Sequence, residues 1–267
     1  MQGSHPRYHS QMEFNKILSP LIKLTIEVGD EILLHYKTDL KVESKADETP
    51  LTIADKNAHQ SIVNALSKLT PNTPILSEES DVIGFDERSK WDEYWLIDPL
   101  DGTRDFLEQT GEFCICIAYI KNHSAIFGLV YAPITGVHYY GFNGKSYKYQ
   151  NGAHKQINTC IAKQPLRVIT GHHSAHNPTL KTHLAALSDM SDIQISHLGS
   201  ALKFCEIAQG HYDYYPRFGP CSEWDTAAGG CILQNAGGSV VDENGKPLRY
   251  NTQDSLLSPT FFASGKS

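Results

Sequence analysis

Apolar residues recur every three or four positions in two long stretches near the start of the chain, which is the spacing of one helix face. The second stretch begins at about Thr52 and runs to Leu69, with Thr52 and Asp55 spaced as in a helix-start box. The first stretch runs from Phe14 to Tyr36, with an apolar stripe at Ile17, Leu21, Leu24, Val28 and Ile32. The pattern predicts two amphipathic helices ahead of the first strand.

Short apolar runs separated by turn residues follow these helices and predict strands. A brief run at Pro74–Leu76 and a longer one at Tyr94–Asp98 come first. The runs Cys114–Ile120, Ala125–Pro133 and Gly136–Gly144 come next, with short turns between them. They predict an antiparallel meander, which the segment SYKYQNG extends.

The helical spacing of apolar residues and the short apolar runs typical of strands both recur in the second half of the chain. The pattern predicts a strand at Leu166–His173, another over 211–218 and a hairpin over 239–250. It also predicts three helices, over 179–190, Gly199–Gly210 and Glu223–Gly238. Because helices and strands do not alternate strictly, the order excludes a simple doubly wound sheet and predicts layered α and β elements.

A soft boundary near Lys163–Pro165 divides the chain. We expect a disordered polar leader over 1–13 and an N-terminal α+β half over 14–164 that carries the acidic motifs. A C-terminal α/β half over 165–267 then carries segments that select the substrate.

Composition narrows the function classes. The 267 residues carry a formal net charge of −7 without any Lys/Arg run longer than two, which argues against a nucleic-acid-binding face. No apolar run reaches about 18 residues and the polar start is no signal peptide, so we expect a cytoplasmic protein without a transmembrane segment. The six cysteines form no CxxC pair and are expected to be reduced, with Cys114 and Cys116 on one face of a strand.

Six acidic residues stand at the starts or ends of predicted elements, beside apolar residues that anchor them near the core: Asp55, Glu78, Glu79, Asp98, Asp101 and Asp225. Clustered carboxylates repel one another, and their pKa values rise unless cations neutralise them. All-oxygen ligand sets suit hard cations, and Mg²⁺ in particular. If the strand and helix ends converge, these residues predict a magnesium site.

Some of these acids also have ordinary structural interpretations that the sequence leaves open. Asp55 and Asp225 could each cap a helix, because a carboxylate accepts hydrogen bonds from the first free N–H groups. Glu78 and Glu79 could form a solvated surface pair, the commoner fate of adjacent charges.

The stretch YWLIDPLDGTRDF, Tyr94–Phe106, has two interpretations. As a strand-to-helix turn it needs only its Asp, Pro and Gly residues, with Thr103 or Asp101 as the helix cap. Alternatively, the N–H groups of Gly102 and Thr103 open a helix and form a phosphate site beside the acids. Carboxylates that bind metal ions, next to backbone amides that bind a phosphate, are typical of metal-assisted phosphoryl transfer. In that reaction two ions about 3.5–4 Å apart activate water. No P-loop occurs, which disfavours a kinase or an NTPase.

Four linked motifs, SKADETPLTIAD, LSEES, YWLIDPLDGTRDF and EWDTAAG, resemble those of the inositol monophosphatase superfamily of Mg²⁺-dependent, lithium-sensitive phosphatases. Within it the chain is most similar to the 3′(2′),5′-bisphosphate nucleotidases, through DGTRDFLEQTGEFCICIAYI, LGSALKFCEIAQG, YYPRFGP and EWDTAAGGCILQNAGG. The resemblance covers Phe14 to the C-terminus. It implies an α/β (α+β) fold, the layered α/β/α/β/α sandwich of the sugar phosphatases.

The resemblance also implies a set of metal ligands for two or three Mg²⁺ ions. Glu78 and Asp98 would bind the first ion, with the Leu100 carbonyl completing that site. Asp98 would bridge to a second ion, which Asp101 and Asp225 also hold.

Catalytic roles follow from the same resemblance. Asp55 and Thr103 would orient the attacking water, and Glu79 would assist at an outer metal. The amides of Gly102 and Thr103 would hold the phosphate that is cleaved, next to Asp225.

Substrate choice is expected to come from GSALKF and YYPRF. Ser200, Lys203 and Arg217 are the candidates, with Lys203 and Arg217 each able to pair with a phosphate. Alternatively, Lys203 is a solvated helix residue and Arg217 belongs to an ordinary surface ion pair. The segment Thr170–His173 departs from the family pattern, since an arginine is missing there while His173 keeps its position.

The leading hypothesis is a phosphoric monoester hydrolase that removes the 3′-phosphate of adenosine 3′,5′-bisphosphate. The sulfated adenylyl analogue is a second expected substrate, which implies a role in sulfur metabolism. An inositol monophosphatase or a fructose bisphosphatase would use the same chemistry. An aspartyl-phosphate phosphatase needs acids two apart, whereas Asp98 and Asp101 are three apart. A non-catalytic nucleotide sensor is the alternative from another class.

The expected partner is a small phosphorylated nucleotide rather than nucleic acid. The sequence leaves open a monomer or a homodimer, and loose attachment to the inner face of a membrane.

Overall fold

The structure is a computed structural model that describes residues 13–37 and 49–266. The leader predicted over 1–13 lies outside these ranges apart from Glu13, and so do the first residues of the SKADETPLTIAD motif.

Two helices open the fold, as the apolar spacing predicts. Helix α1 (Phe14–Tyr36) has the predicted bounds, and helix α2 (Pro50–Leu69) begins two residues before Thr52. The cap is Thr49, whose Oγ1 accepts a hydrogen bond from the Thr52 amide at 3.2 Å. Pro50 follows at the first helical position, where a missing N–H costs nothing. The helix-start box predicted at Thr52 and Asp55 is therefore wrong.

Five shorter helices lie in the rest of the described chain: α3 (Phe85–Arg88), α4 (Thr103–Leu107), α5 (Pro178–Met190), α6 (Leu202–Ala208) and α7 (Glu223–Asn235). The last three confirm the predicted helices, with ends moved by a few residues. The end of the predicted strand Leu166–His173 is instead a 3₁₀ turn at His172–His176.

A seven-stranded sheet holds, in both chain and spatial order, β1 (Ile75–Ser77), β2 (Glu93–Asp101), β3 (Cys114–Lys121), β4 (Ser124–Ala132), β5 (Val137–Phe142), β6 (Lys145–Gln150) and β7 (Ala153–Ile157). Strand β1 is parallel to β2, and every later neighbour is antiparallel. The predicted meander is confirmed, with β7 as an additional strand.

A second sheet of five strands holds β8 (Leu166–Thr170), β9 (Ile193–His197), β10 (Tyr214–Arg217), β11 (Ser239–Asp242) and β12 (Phe261–Ser264), in the spatial order β11-β12-β10-β8-β9. The hairpin predicted over 239–250 is wrong, because β11 pairs with the distant β12. The returning segment contributes only an isolated bridge between Val241 and Pro247. Neither β9 nor β12 stands out in the sequence pattern.

Two apolar cores separate the layers. Helices α1 and α2 cover one face of the first sheet, where Trp95, Ile97 and Tyr119 are buried. The opposite face of that sheet, with Leu96 among its residues, meets α6, α7 and the second sheet. On the outer side of the second sheet, His183 of α5 stacks on Phe262. This order confirms the predicted α/β/α/β/α sandwich, and it places the carboxyl end of β2 against the start of α7.

Candidate active site

Strand β2 delivers two of the predicted acids to one place. Asp98 is only 1% exposed, and its Oδ1 accepts a hydrogen bond from the Leu100 amide at 3.0 Å. Asp98 pairs with Cys116 and Asp101 with Cys114, and the register shifts between the two pairs. Pro99 lies in that interval, where its missing N–H favours an irregular ladder.

Helix α7 delivers Asp225 from the other side of the site. The residue occupies the third helical position, and Ser222 is the N-cap of a capping box. Asp225 Oδ2 accepts from the Ser222 amide at 2.8 Å and lies 3.3 Å from the Cys221 thiol. The interpretation of Asp225 as the N-cap itself is therefore wrong. One of its carboxylate oxygens accepts the hydrogen bond at the start of the helix, and the side chain still lies beside Asp98 and Asp101 of β2.

Oxygen atoms of Asp98, Asp101 and Asp225 lie within 4.8 Å of one another, a set that could hold a metal ion. Glu78, which follows β1, lies beside Asp98, and both line the same cavity. Burial, followed by the charges of Asp101, Glu78 and Asp225, raises the pKa of Asp98 well above its usual range. The structure thus gathers the side chains of the four predicted acidic metal ligands, beside the buried Leu100.

The donor set fits a hard divalent cation. Burial and the nearby Asp225 charge raise the pKa of Asp101 to about 7, because like charges in a buried place resist ionisation. A divalent cation among these oxygens would offset that repulsion, and all-oxygen sites are those that Mg²⁺ prefers.

A second acidic pair lies next to this cluster. Asp55 of α2 is buried, its Oδ1 has no hydrogen-bond partner within the described chain, and Glu79 hydrogen-bonds its carboxyl group. Burial, then the charges of Glu79 and Glu78, raise the pKa of Asp55 to about 8. Because α2 packs against α4, Asp55 and Thr103 lie on adjacent helices. The capping role that the sequence left open for Asp55 is excluded, since Thr49 is the cap.

The turn between β2 and α4 depends on Gly102. Its φ of 92° is left-handed, and a Cβ there would lie 3.1 Å from the Glu112 carbonyl oxygen and 3.2 Å from Ser200 Cβ. Gly102 is itself the N-cap position of α4, without a side-chain cap. The cap predicted at Thr103 or Asp101 is wrong, because Gly102 occupies the N-cap position and no side chain caps the helix.

Four of the six predicted acids, Glu78, Asp98, Asp101 and Asp225, line one cavity of about 530 Å³ together with the predicted substrate residues, whereas Asp55 and Glu79 are not among its lining residues. Gly102, Thr103, Ser200, Lys203 and Arg217 all contribute to its wall. The cavity therefore brings together segments that are more than a hundred residues apart in the chain.

Lys203 and Arg217 are more constrained than surface residues. Lys203 is 4% exposed, and its Nζ donates to the carbonyls of Leu198 at 3.1 Å and Ser200 at 2.6 Å. Burial lowers its pKa, although the nearby Asp101 opposes this effect. Arg217 donates from Nη2 to the Pro220 carbonyl at 3.0 Å, while its Nε is buried without a partner in the described chain. The interpretations as a solvated lysine and a surface ion pair are wrong.

His172 and His173, from the segment that departs from the family pattern, line the cavity, and their acidic partners were not predicted from the sequence. His172 Nε2 lies 2.5 Å from Glu112 Oε2, which also accepts from the Gly199 amide at 2.7 Å. His173 lies 3.1 Å from Glu108 on the same rim. The segment that departs from the family pattern thus pairs its histidines with acids from the loop region after α4, and only long-range folding reveals this.

The chain belongs to the inositol monophosphatase family, whose model matches residues 13–265. This confirms the family predicted from the motifs.

Curated relatives refine that placement. The chain is 43% identical over 247 residues to the 3′(2′),5′-bisphosphate nucleotidase CysQ of Escherichia coli (strain K12). The alignment covers 92% of this chain and 98% of that protein. It is 38% identical over 256 residues to the protein of the same name in Buchnera aphidicola, with 94% of each chain covered.

Solved structures agree on the fold. The CysQ structure from Bacteroides thetaiotaomicron superposes with a TM-score of 0.85 at 31% identity, covering 96% of this chain and 100% of that one. An inositol monophosphatase from Zymomonas mobilis superposes with a TM-score of 0.76 at 22% identity, covering 96% of this chain and 95% of that one, a likeness of fold alone. Within the described residues, no helix is long and apolar enough to span a membrane.

Proposed function

We propose that this chain is a 3′(2′),5′-bisphosphate nucleotidase that hydrolyses the 3′-phosphate of adenosine 3′,5′-bisphosphate to adenosine monophosphate and phosphate. The observation that carries the proposal is the convergence of Asp98, Asp101 and Asp225 in a chain 43% identical to a nucleotidase of that name. The sulfated adenylyl analogue is a further proposed substrate, which connects the protein to sulfur metabolism.

The proposed cofactor is Mg²⁺, two or three ions for each site. Glu78, Asp98 and the Leu100 carbonyl would hold one ion, and Asp98, Asp101 and Asp225 a second. When bound, such ions neutralise phosphate charge and lower the pKa of water.

The chain's own residues would position the reacting groups. The amides of Gly102 and Thr103 would hold the phosphate, since the left-handed Gly102 leaves the start of α4 uncovered by a side chain. The Thr103 hydroxyl and the Asp55 carboxylate would orient the attacking water, and Asp55 would take its proton. Burial, then the charges of Glu79 and Glu78, raise the pKa of Asp55, so its carboxylate holds a proton more readily than a solvated one.

The second phosphate would bind to Arg217, which lines the same cavity. Arg217 has a buried Nε without a partner among residues 13–37 and 49–266, and an unsatisfied buried donor favours an acceptor that a ligand supplies. Lys203 has used two of its three N–H groups on backbone carbonyls, which leaves one for a ligand. Ser200, with a φ of 52°, also lines the cavity and lies against Gly102.

The proposal is tested with a substrate panel in Mg²⁺. We expect phosphate release from adenosine 3′,5′-bisphosphate to exceed that from inositol 1-phosphate and fructose 1,6-bisphosphate by at least about tenfold in kcat/KM. A reversed order would replace the proposal with one of the sugar phosphatases, and binding without turnover would make the protein a sensor.

Millimolar lithium is expected to inhibit the reaction, since the proposed Mg²⁺ site would accept it. Phosphate release should be measured at fixed Mg²⁺ with lithium and, as a control for ionic strength, with an equal concentration of potassium. Full activity in lithium would argue against a site of this family's type.

The cytoplasmic location, the loose attachment to the inner face of a membrane and the choice between monomer and homodimer stay predictions. Cell fractionation tests the first two, and light scattering of the purified protein tests the third.

A further inference from the structure

Two buried thiols lie directly beside the carboxylate cluster. Strand β3 places Cys114 and Cys116 on the same face, because side chains alternate along a strand. The β2–β3 ladder pairs Cys114 with Asp101 and Cys116 with Asp98. The pairing therefore brings sulfur and oxygen ligands together at one end of the sheet.

The distances match those of a site for a thiophilic cation. The two Sγ atoms are 3.7 Å apart, and Asp101 Oδ2 lies 3.7 Å from Cys114 Sγ and 4.0 Å from Cys116 Sγ. A tetrahedral Zn²⁺ with bonds of about 2.3 Å to sulfur and about 2.1 Å to oxygen needs S···S of about 3.8 Å and S···O of about 3.6 Å. The three ligand atoms need to move by a few tenths of an ångström at most.

Asp101 is common to two ligand sets of different chemistry. With Asp98 and Asp225 it forms an all-oxygen set, and with Cys114 and Cys116 it forms a set of two sulfurs and one oxygen. Its Oδ2 also accepts from the Ala201 amide at 2.5 Å, which uses one of that atom's two lone pairs and leaves the other for an ion. Oxygen sets suit Mg²⁺, whereas thiolates select zinc and other soft cations.

We propose that Cys114, Cys116 and Asp101 form an inhibitory site for a thiophilic divalent cation such as Zn²⁺ or Cd²⁺. The ion enters from the cavity, which Asp101 lines. Each thiol releases its proton to solvent and binds the ion as a thiolate, so the three side chains supply three ligands. Occupancy places a second divalent charge beside the oxygen set and draws the Asp101 carboxylate toward the thiolates, which weakens Mg²⁺ binding there. The binding stands on geometry alone, while the inhibition rests on the proposed function.

Direct binding is measured by titrating the full chain with Cd²⁺ or Co²⁺ and recording the thiolate-to-metal charge-transfer absorption. We expect one equivalent to bind with this absorption in the wild type, and Cys114→Ser and Cys116→Ser each to lose it. Cys160→Ser, at the exposed cysteine, and Cys231→Ser, at a buried cysteine that contacts the Gly141 carbonyl instead, are matched controls that should keep it. Absorption that persists in both site variants, or disappears in either control, would overturn the proposal.

Cys221 offers a sharper comparison, because its thiol contacts Asp225 rather than Asp101. Cys221→Ser should bind the probe ion as the wild type does. Loss of the absorption in this variant alone would show that the ion binds beside Asp225, and it would refute the assignment to the cysteines of β3.

A measurement on the unmodified protein covers the case in which a serine variant fails to fold. X-ray absorption at the zinc edge of the wild type with one equivalent of Zn²⁺ should count two sulfur neighbours. Only oxygen or nitrogen neighbours would contradict the proposal without recourse to any variant.

Inhibition is measured as the Zn²⁺ concentration that halves activity at fixed Mg²⁺, each variant being normalised to its own rate without zinc. We expect that concentration to rise at least tenfold in Cys114→Ser and to stay unchanged in Cys231→Ser. If the zinc-edge spectrum shows two sulfur neighbours but Zn²⁺ does not inhibit the wild type, the proposal that zinc inhibits through Asp101 is refuted. If the wild type hydrolyses no phosphate ester, the proposed function fails while the binding results still decide the site.

Discussion

Neighbours rather than residue type decide what each side chain of the cavity does. Asp98 and Asp242 are both aspartates, yet burial and like charges raise the pKa of Asp98, while backbone N–H groups lower the pKa of Asp242. The buried oxygen cluster is unfavourable without a compensating charge. A side chain that binds a cation well therefore destabilises the metal-free fold.

Asp98→Asn is expected to lower kcat by at least about a hundredfold while the protein folds normally, because the amide keeps the acceptor for the Leu100 amide but loses the charge. Without metal, its midpoint of thermal unfolding should equal or exceed that of the wild type, since one of the mutually repelling charges is gone. Steady-state kinetics and calorimetry check both outcomes. Asp189→Asn, at an exposed position of α5, is the control and should change neither quantity. Surviving activity would refute the assignment of Asp98 as a metal ligand.

Arg217→Met should raise KM for adenosine 3′,5′-bisphosphate by about 10- to 100-fold, the range of one or more hydrogen bonds to a charged group. Adenosine 3′-monophosphate lacks the second phosphate, so its KM should change by less than about twofold. Arg249→Met, at an exposed arginine bonded to the Ser124 hydroxyl and the Asn122 carbonyl, is the matched control. Equal losses with both substrates would show that Arg217 supports the fold rather than the second phosphate.

Helix α7 owes its position to small residues at its contact with the first sheet. A Cβ at Gly128 of β4 would collide with the Ala228 carbonyl oxygen, so the strand and the helix touch backbone to backbone. The start of α7 is also tied down by Glu223, whose carboxylate accepts from the Asn251 amide at 3.0 and 2.8 Å. Because Asp225 lies in the first turn of α7, the packing of the whole helix sets its distance from β2.

Gly128→Ala is expected to destabilise the protein by about 1–3 kcal/mol, the usual effect of overpacking a well-filled core. It should also lower kcat by up to about a hundredfold, because a helix displaced by about an ångström moves Asp225. Denaturant unfolding and kinetics measure the two effects. Gly84→Ala adds its methyl group where no atom lies within 4 Å and serves as the control. An alanine variant with unchanged kcat would show that α7 holds Asp225 independently of this contact.

At the scale of the whole molecule, the two cores contain titratable groups that respond to pH in opposite directions. Acids with raised pKa values, such as Asp55 at about 8 and Asp101 at about 7, bind more protons folded than unfolded and therefore stabilise the fold as pH falls. His138 is fully buried between α1 and the first sheet, where its Nε2 lies 2.9 Å from Thr25 Oγ1 and its ring stacks on Tyr131. Burial lowers the pKa of His138 to about 4.

Since the pKa of His138 is lower in the folded than in the unfolded state, its contribution destabilises the fold as pH falls from about 6.5 to about 4. The full effect is about 3 kcal/mol, from about 1.4 kcal/mol for each unit of pKa. His138→Phe keeps an aromatic ring and removes this loss, so wild type and variant should diverge over that window in denaturant unfolding. Taking the difference cancels the opposite contribution of the carboxylates. Parallel curves would mean that the histidine accepts a proton without disturbing the core.

Local spacing in the sequence was sufficient for the elements whose own residues decide them. The stripe of α1 and the alternation of the meander are short-range patterns, and burial of an apolar face stabilises them in any compact fold. The acids Asp98, Asp101 and Asp225 were identifiable for a similar reason, because each stands beside a structure break within a recognisable motif. Local patterns therefore determined these elements and the acidic residues, whereas the family and the layer order followed from the resemblance that the motifs carry.

Only the tertiary structure decided which distant groups touch. The pairing of β11 with β12, the buried Nε of Arg217 and the thiols of Cys114 and Cys116 beside Asp101 depend on contacts between separate segments. Periodicity shows that Cys114 and Cys116 share a face, but not that this face meets a carboxylate. The physical reason is that pKa, ligand geometry and burial follow from distances of a few ångströms, which local sequence does not encode.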